Sequence, residues 1–334
     1  RDPMTAPAAQ NAGPGPDLGV RLGPLRLEYP VINASGTMEL FDMADVLGPE
    51  LLREPPVAAY VAKTITFEPR AGNRPPRIME TPAGLINAIG LEGEGAAAFF
   101  ETRLPRLLGL PCPVIVSIGG FSLQEYVLLA SSLRMRLEEG SAGDATDAWM
   151  ERVGLELNIS CPNVHSGCAS IGAEPSETER VVAAVREVWP GLLMPKLTPS
   201  VTDIAAVARA AVRGGADAVA AVNTFKGLVI DRRTLRPYLG NTVGGLSGPA
   251  IKPLALRCLY ELAEAVDVPL VGMGGVADAE DVMEFLACGA TVVAVGASLF
   301  RDPWVCAELA SDLRRLLQAR GMTLSDVIGV AHKA

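Results

Sequence analysis

Short runs of Val, Ile, Ala and Leu recur along this chain, separated by longer segments in which apolar residues return every three or four positions. The runs are 30–34 (PVINA), 57–63 (VAAYVAK), 113–117 (PVIVS), 153–158 (VGLELN), 192–197 (LLMPKL), 217–222 (DAVAAV), 268–273 (VPLVGM) and 291–296 (TVVAVG). A brief apolar run bounded by turn residues suits a strand buried on both faces. Helical spacing occupies 93–108, 122–138, 176–188, 201–214, 250–265, 278–288 and 303–319. Several of these open on a capping signal, such as Ser200-Val201-Thr202-Asp203 ahead of AAVARAAV. Eight strands, most followed by a helix, predict an α/β fold: a closed TIM (β/α)₈ barrel rather than an open doubly wound sheet.

Two stretches interrupt the alternation. Residues 64–91 follow the second strand and 224–249 follow the sixth, and both are rich in Gly, Pro or Arg. Loops of such length inside a domain are usually functional, and these leave from strand carboxyl ends, where barrels carry their sites. The acidic stretch 139–148 (EGSAGDATDA) reads instead as a solvated surface loop. No repeat or linker divides the chain, so 19–334 is expected to form one barrel. Residues 1–18 read as a flexible segment, with Arg1-Asp2-Pro3 ahead of Met4 as an expression remnant.

Composition narrows the function classes. Apolar residues make up 49 % of the 334 positions and charged ones 20 %, enough for a large core; aromatics are only 5 %. The net charge of −9 repels nucleic acid and anionic lipid, so any anionic ligand needs local cations. No leader-type segment and no apolar run of membrane-spanning length is found, which reads as cytoplasmic with no membrane partner. The six cysteines (Cys112, Cys161, Cys168, Cys258, Cys288, Cys306) include no C-x-x-C pair, which argues against disulfides, zinc or an iron–sulfur cluster on this chain. Most of them read as small buried hydrophobes.

Candidate chemistry gathers at the strand ends. Gly272-Met273-Gly274-Gly275 ends the seventh strand and Gly296-Ala297-Ser298 the eighth, the usual phosphate position of a barrel. Backbone N–H groups can approach a phosphate there, and a following helix N-terminus adds positive potential. Lys63 and Lys196 end the second and fifth strands, and a lysine buried at that edge calls for an anionic partner. Asn87, Asn158 and Asn223 occupy the same layer and offer donors and acceptors to a planar ring. The segment Asn158-Ile159-Ser160-Cys161-Pro162-Asn163 sets a thiol beside two amides. Histidine is nearly absent: His332 lies in a tail expected to be disordered, and His165 reads as a loop residue, leaving Cys161 as the candidate base by position.

With these residues in order, the chain resembles dihydroorotate dehydrogenase, in its class 1, B-type catalytic-subunit form. The matching segments are Ala34-Ser35-Gly36-Thr37, Lys63-Thr64-Ile65-Thr66 with Glu68-Pro69-Arg70, Asn87-Ala88-Ile89-Gly90-Leu91, Asn158 to Asn163, Lys196-Leu197-Thr198-Pro199, Asn223-Thr224, Gly244-Gly245-Leu246-Ser247-Gly248-Pro249 and Gly272 to Gly275. They run over about residues 20–310. The resemblance implies FMN as cofactor and oxidation of dihydroorotate to orotate in pyrimidine biosynthesis, with Cys161 removing the C5 proton while C6 gives hydride to the flavin. It implies that Lys63, Asn87, Asn158, Asn163, Asn223 and Thr224, with the Ala88, Ile89, Gly90, Leu91 segment, hold the substrate. Ser35, Lys63, Thr64, Ser117, Asn158, Lys196, Val222, Gly248, Gly274, Gly275, Gly296 and Ala297 would surround FMN. It also implies a partner subunit carrying FAD and an iron–sulfur cluster, and a homodimer core.

The chain departs from the family in three places: Ser117 stands where Asn is usual, Ala297 replaces a common Thr, and 139–148 is longer. Two alternatives stay open at this point, a dihydrouracil-type pyrimidine dehydrogenase and a flavin-binding barrel without catalysis. Lys63, a cation for a carboxylate that dihydrouracil lacks, favours dihydroorotate.

Overall fold

The computed structural model describes residues 15–140, 148–160 and 171–333. Eight parallel strands form the expected barrel: β1 Val31–Asn33, β2 Tyr60–Val61, β3 Val114–Ile118, β4 Val153–Asn158, β5 Leu193–Lys196, β6 Val219–Ala221, β7 Leu270–Met273 and β8 Val292–Val295. The hydrogen-bonded order is β1-β8-β7-β6-β5-β4-β3-β2. The remaining seam, between β1 and β2, is closed partly by a side chain. The buried Asn33 amide donates to the Val61 carbonyl at 2.7 Å and accepts the Val61 N–H at 2.8 Å, beside an Ala58 N–H to Val31 carbonyl bond of 3.2 Å. A pair of side-chain bonds thus replaces the missing ladder.

Alternation along each strand separates two cores. In β8, Val292 and Ala294 join Ile32, Ile115, Met194, Ala220 and Val271 inside the barrel. Val293 and Val295 face outward, into the layer covered by helices. These helices are α1 Leu40–Leu47; α2, built from Gly95–Ala98, a π turn Phe99–Arg103 and Leu104–Leu108; α3 Leu123–Gly140; α4 Pro175–Val188; α5 Ile204–Arg213; α6 Lys252–Ala265; α7 Ala279–Ala287; and α8 Val305–Arg320. Asp203 caps α5 by accepting the Ala206 N–H at 2.8 Å, as the 200–203 signal predicts. Helix α1 is an addition, since its sequence LFDMADVL lies outside the expected helical stretches.

The amino end of the barrel is plugged by a hairpin, Val20–Leu22 with Leu25–Leu27, whose three leucines enter the inner core. Leu18 just before it is also buried. The expected flexible segment therefore ends earlier than 18, because apolar contacts hold the chain from that residue; 1–14 lie outside the described residues. At the opposite mouth the two long insertions pair into one antiparallel sheet in the order Phe225–Leu228, Val243–Ser247, Gly84–Asn87, Ile78–Thr81. What reads as irregular loop in sequence is thus a four-stranded roof. Of the acidic stretch 139–148, residues 141–147 lie outside the described residues, and Ala148–Glu151 form a short turn that buries Trp149. Among the described residues no helix is long and apolar enough to cross a membrane.

Candidate active site

All eight strands of a parallel barrel end at one mouth, so residues far apart in sequence meet there. Beneath the roof sheet lies a cavity of about 320 Å³, within the range of small-molecule sites. Its wall is built from the ends of β1 (Ala34, Ser35, Gly36, Thr37), β2 (Lys63, Thr64), β4 (Asn158), β5 (Lys196), β6 (Val222, Asn223, Thr224), β7 (Met273, Gly274, Gly275) and β8 (Gly296, Ala297). The roof and its flanks add Ile78, Leu85, Asn87, Ile89, Gly90, Leu91, Glu92, Ser247, Gly248, Ile251 and Phe300.

One end of the cavity suits a phosphate. Gly274 and Gly275 have φ of 135° and 81°, and a Cβ on Gly275 would lie 2.9 Å from both the Gly248 carbonyl oxygen and the Lys252 nitrogen. Three backbone segments therefore approach each other where only glycine fits. The helix-dipole contribution expected from α7 is largely spent, however. Asp278 and Asp281 form a capping box at its start, and Asp281 also takes the Ala277 N–H at 2.7 Å. Lys252 is likewise engaged, by Asp281 and by Glu284 at 2.9 Å. The cradle rests on loop backbone rather than on helix potential.

The wall also carries a cation with no counter-charge among the described residues. Lys196 is 5 % exposed, and among the described residues no carboxylate or other acceptor meets its ammonium. It is the register partner of Asn158 on β4. A buried ammonium facing a cavity favours an electron-rich ligand, because desolvation is costly otherwise. Lys63 is held more loosely. It is about two-fifths exposed and lies 3.9 Å from Glu39, a carboxylate that Arg103 approaches at 3.0 Å. Lys63, Thr64 and Glu92 also border a second, smaller cavity of about 90 Å³ that contains Glu39, Tyr60 and Arg103.

The amides are ordered by neighbouring hydroxyls. Asn158 donates to Thr64 Oγ1 at 3.0 Å and accepts from Ser160 Oγ at 3.2 Å. Asn223 donates to Ser160 Oγ at 2.9 Å and accepts the Thr224 N–H at 2.8 Å. Asn87 faces the cavity from the roof, in register with Gly245. Leu91 holds a left-handed φ of 57°, an unusual conformation for leucine and one found at the cavity wall.

Most sequence-predicted residues are thus brought together: Ser35, Lys63, Thr64, Asn87, Ile89, Gly90, Leu91, Asn158, Lys196, Val222, Asn223, Thr224, Gly248, Gly274, Gly275, Gly296 and Ala297 share the wall. Two do not reach it. Ala88 is buried behind the roof, on the face opposite its neighbours. Ser117 lies behind Thr64, its hydroxyl 2.9 Å from Thr64 Oγ1 and donating to Glu156 at 2.7 Å. Its shorter side chain stops one residue short of the cavity. Cys161 and Asn163 lie outside the described residues, as do His165 and Cys168.

Of the described thiols none lines the cavity, and burial pushes Cys112 up to about 11 and raises Cys258, Cys288 and Cys306 as well. His332 is not part of a disordered tail. It stacks on Tyr260 with ring centres 4.0 Å apart and approaches the Cys288 carbonyl at 3.2 Å, contacts that give the tail a seat. Sequence reasoning missed Ile78, Leu85, Ile251 and Phe300, which the roof and the last turns bring in and which carry no local signal. It also missed Glu156, read only as part of an apolar run.

Comparison with known proteins agrees with this geometry. A family model described as dihydroorotate dehydrogenase matches residues 18–317. A chain from Desulforudis audaxviator (strain MP104C) is 43 % identical over 319 residues, covering 94 % of this chain and 97 % of that one. Chains from Geotalea uraniireducens (strain Rf4) and Trichlorobacter lovleyi (strain ATCC BAA-1151 / DSM 17278 / SZ) are each 42 % identical over 94 % of this chain and 98 % of their own. All three carry the name dihydroorotate dehydrogenase B (NAD(+)), catalytic subunit.

Proposed function

Because this chain belongs to the dihydroorotate dehydrogenase family, we propose that it oxidises dihydroorotate to orotate, with FMN and the pyrimidine held in the cavity of about 320 Å³ at the barrel mouth. The observation that carries this reading is the distribution of its wall: a backbone cradle at Gly274, Gly275, Gly296 and Ala297, a buried Lys196 that no acceptor among the described residues meets, and with them Lys63 and three asparagines. At Gly274 and Gly275 a Cβ would collide with Ala255 and with the Gly248 and Lys252 backbone, so bare backbone borders the cavity where a phosphate can take N–H bonds, and Lys196 supplies the cation that an electron-rich isoalloxazine edge satisfies. The residues present therefore fit the cofactor.

Bound FMN supplies a two-electron acceptor for the hydride leaving C6 of the substrate. The chain's own residues do the rest. Lys63 meets the substrate carboxylate, an interaction stronger than its long contact with Glu39. Asn87, Asn158 and Asn223 present amides to the ring's alternating carbonyl and N–H groups. The roof sheet excludes water above them, which strengthens each polar contact. Cys161 takes the C5 proton, so that loss of proton and hydride from adjacent carbons leaves the C5=C6 double bond. Its sequence neighbour Ser160 is bonded to Asn158 and Asn223.

We further propose that electrons leave through a partner subunit carrying FAD and an iron–sulfur cluster, toward NAD⁺. The relatives' names speak of a catalytic subunit and NAD(+), and no cysteine spacing on this chain suits a cluster. The test is the visible spectrum of the FMN-loaded protein under anaerobic conditions. Dihydroorotate is expected to bleach the flavin bands and dihydrouracil to leave them unchanged. Bleaching by dihydrouracil alone, or by neither compound, would overturn the assignment.

A further inference from the structure

Two residues before Asn158 on β4, Glu156 points into the barrel one layer deeper and is 1 % exposed. A carboxylate in that position is costly unless hydrogen bonds meet it. Ser117 on β3 provides one, its hydroxyl donating to Glu156 Oε1 at 2.7 Å. Serine has a single proton to give. Since Ser117 gives it to Glu156, the 2.9 Å contact between Ser117 and Thr64 must be donated by Thr64. The Thr64 oxygen accepts from the Asn158 amide at 3.0 Å. That orients the Asn158 carbonyl toward Ser160, whose hydroxyl donates to it at 3.2 Å, and Ser160 accepts from the Asn223 amide at 2.9 Å.

Six side chains from four strands therefore form one directed chain: Asn223 to Ser160, Asn158, Thr64, Ser117 and finally Glu156. Every donor points toward the carboxylate. Such chains polarise one another and stand or fall together. A carboxylate only accepts, so the direction cannot reverse while Glu156 terminates it.

We propose that Glu156 is a positioning residue for ligand binding: by ending this chain as its acceptor, it decides which atoms of Thr64, Asn158 and Asn223 face the cavity. Were the direction reversed, Asn158 would turn its amide toward Ser160, where its carbonyl now lies, and Asn223 would have to turn with it. The serine at 117 is what links the buried acid to Thr64, since it both accepts and donates along one line.

The inference rests on the assignment of the cavity to flavin and pyrimidine. Its test uses the FMN-loaded wild type and the variants Glu156→Gln, Glu156→Met and Ser117→Ala, with orotate affinity read from the shift it causes in the flavin absorption bands. Glu156→Met and Ser117→Ala are expected to weaken orotate binding about tenfold, the scale of one ordered hydrogen bond. Glu156→Gln keeps an acceptor in the same volume and is expected to stay within about threefold of wild type. That rescue separates positioning from packing, because a purely structural role would lower the melting temperature without tracking the acceptor.

Orotate affinities within about twofold of wild type in Glu156→Met and Ser117→Ala would overturn the proposal. So would a Gln variant as weak as the Met variant. Should Glu156→Met fail to fold, Ser117→Ala, which removes one hydroxyl, decides alone. A wild-type protein that shows no orotate-induced shift sinks the functional reading itself, an outcome distinct from unchanged variants.

Discussion

Replacing Lys196 by methionine separates a ligand-binding lysine from a structural one, because the two roles change stability in opposite directions. The side chain is 5 % exposed and no acceptor among the described residues meets its ammonium. In the apoprotein it therefore carries a desolvation cost that no ion pair among the described residues offsets. Methionine fills similar volume with no charge, so the melting temperature of Lys196→Met apoprotein should equal or exceed that of wild type, with a rise on the order of 1–2 °C. Flavin affinity should move the other way. A hydrogen bond to a charged donor contributes about 1.5–3 kcal/mol, which corresponds to roughly 10- to 150-fold in Kd. Titrating FMN into apoprotein and following quenching of its fluorescence measures this directly, and a thermal melt of the same sample gives the stability. A variant that binds FMN as tightly as wild type while melting lower would refute the reasoning, since it would make Lys196 part of the scaffold.

Cys161→Ser should slow flavin reduction by dihydroorotate by roughly 10²–10⁴ in anaerobic stopped flow; wild-type rates would remove the thiol from proton transfer. Lys63→Ala should weaken orotate binding about 10- to 100-fold yet leave the melting temperature nearly unchanged, because its contact with Glu39 is long and half-exposed and Arg103 remains on that carboxylate; equal losses of stability and affinity would contradict this. Brief alkylation near neutral pH, read by peptide mass spectrometry, should spare Cys112, Cys258, Cys288 and Cys306, whose thiols burial raises, and should label Cys161 or Cys168 first. The Cys112 thiol also sets an alkaline limit. It is raised from 9.0 to about 11 in the folded state, so the unfolded chain loses its proton first, and stability present below about pH 9 declines as pH rises toward 11. Denaturant midpoints of Cys112→Ala should fall less over that window than those of wild type.

The barrel was legible because strands buried on both faces leave a direct mark: runs such as TVVAVG and VPLVGM have no polar period to confuse them. The roof sheet was not. Its strands span only four or five residues, and the pairing of Asn87 with Gly245 spans 158 positions, so nothing local announces it. The hairpin plug was hidden for a related reason, as three-residue strands around a turn give too little pattern to read. Site residues at strand ends could be placed because a parallel barrel sends all carboxyl ends to one mouth. Ser117 shows where that logic stops. Its place at the end of β3 is visible in sequence, but the length of a serine side chain and its partner Glu156 decide that it supports Thr64 instead of reaching the cavity. The directed network is invisible in sequence, because hydrogen-bond polarity depends on distances between four different strands.

The most direct measurement is the position of orotate in crystals of the FMN-loaded protein. The account expects the pyrimidine inside the cavity, within hydrogen-bonding reach of Asn87, Asn158 and Asn223, with its carboxylate against Lys63 and the flavin phosphate beside Gly274 and Gly275. Orotate seated elsewhere, or lying in the cavity with its carboxylate turned away from Lys63 and the asparagines, would contradict it.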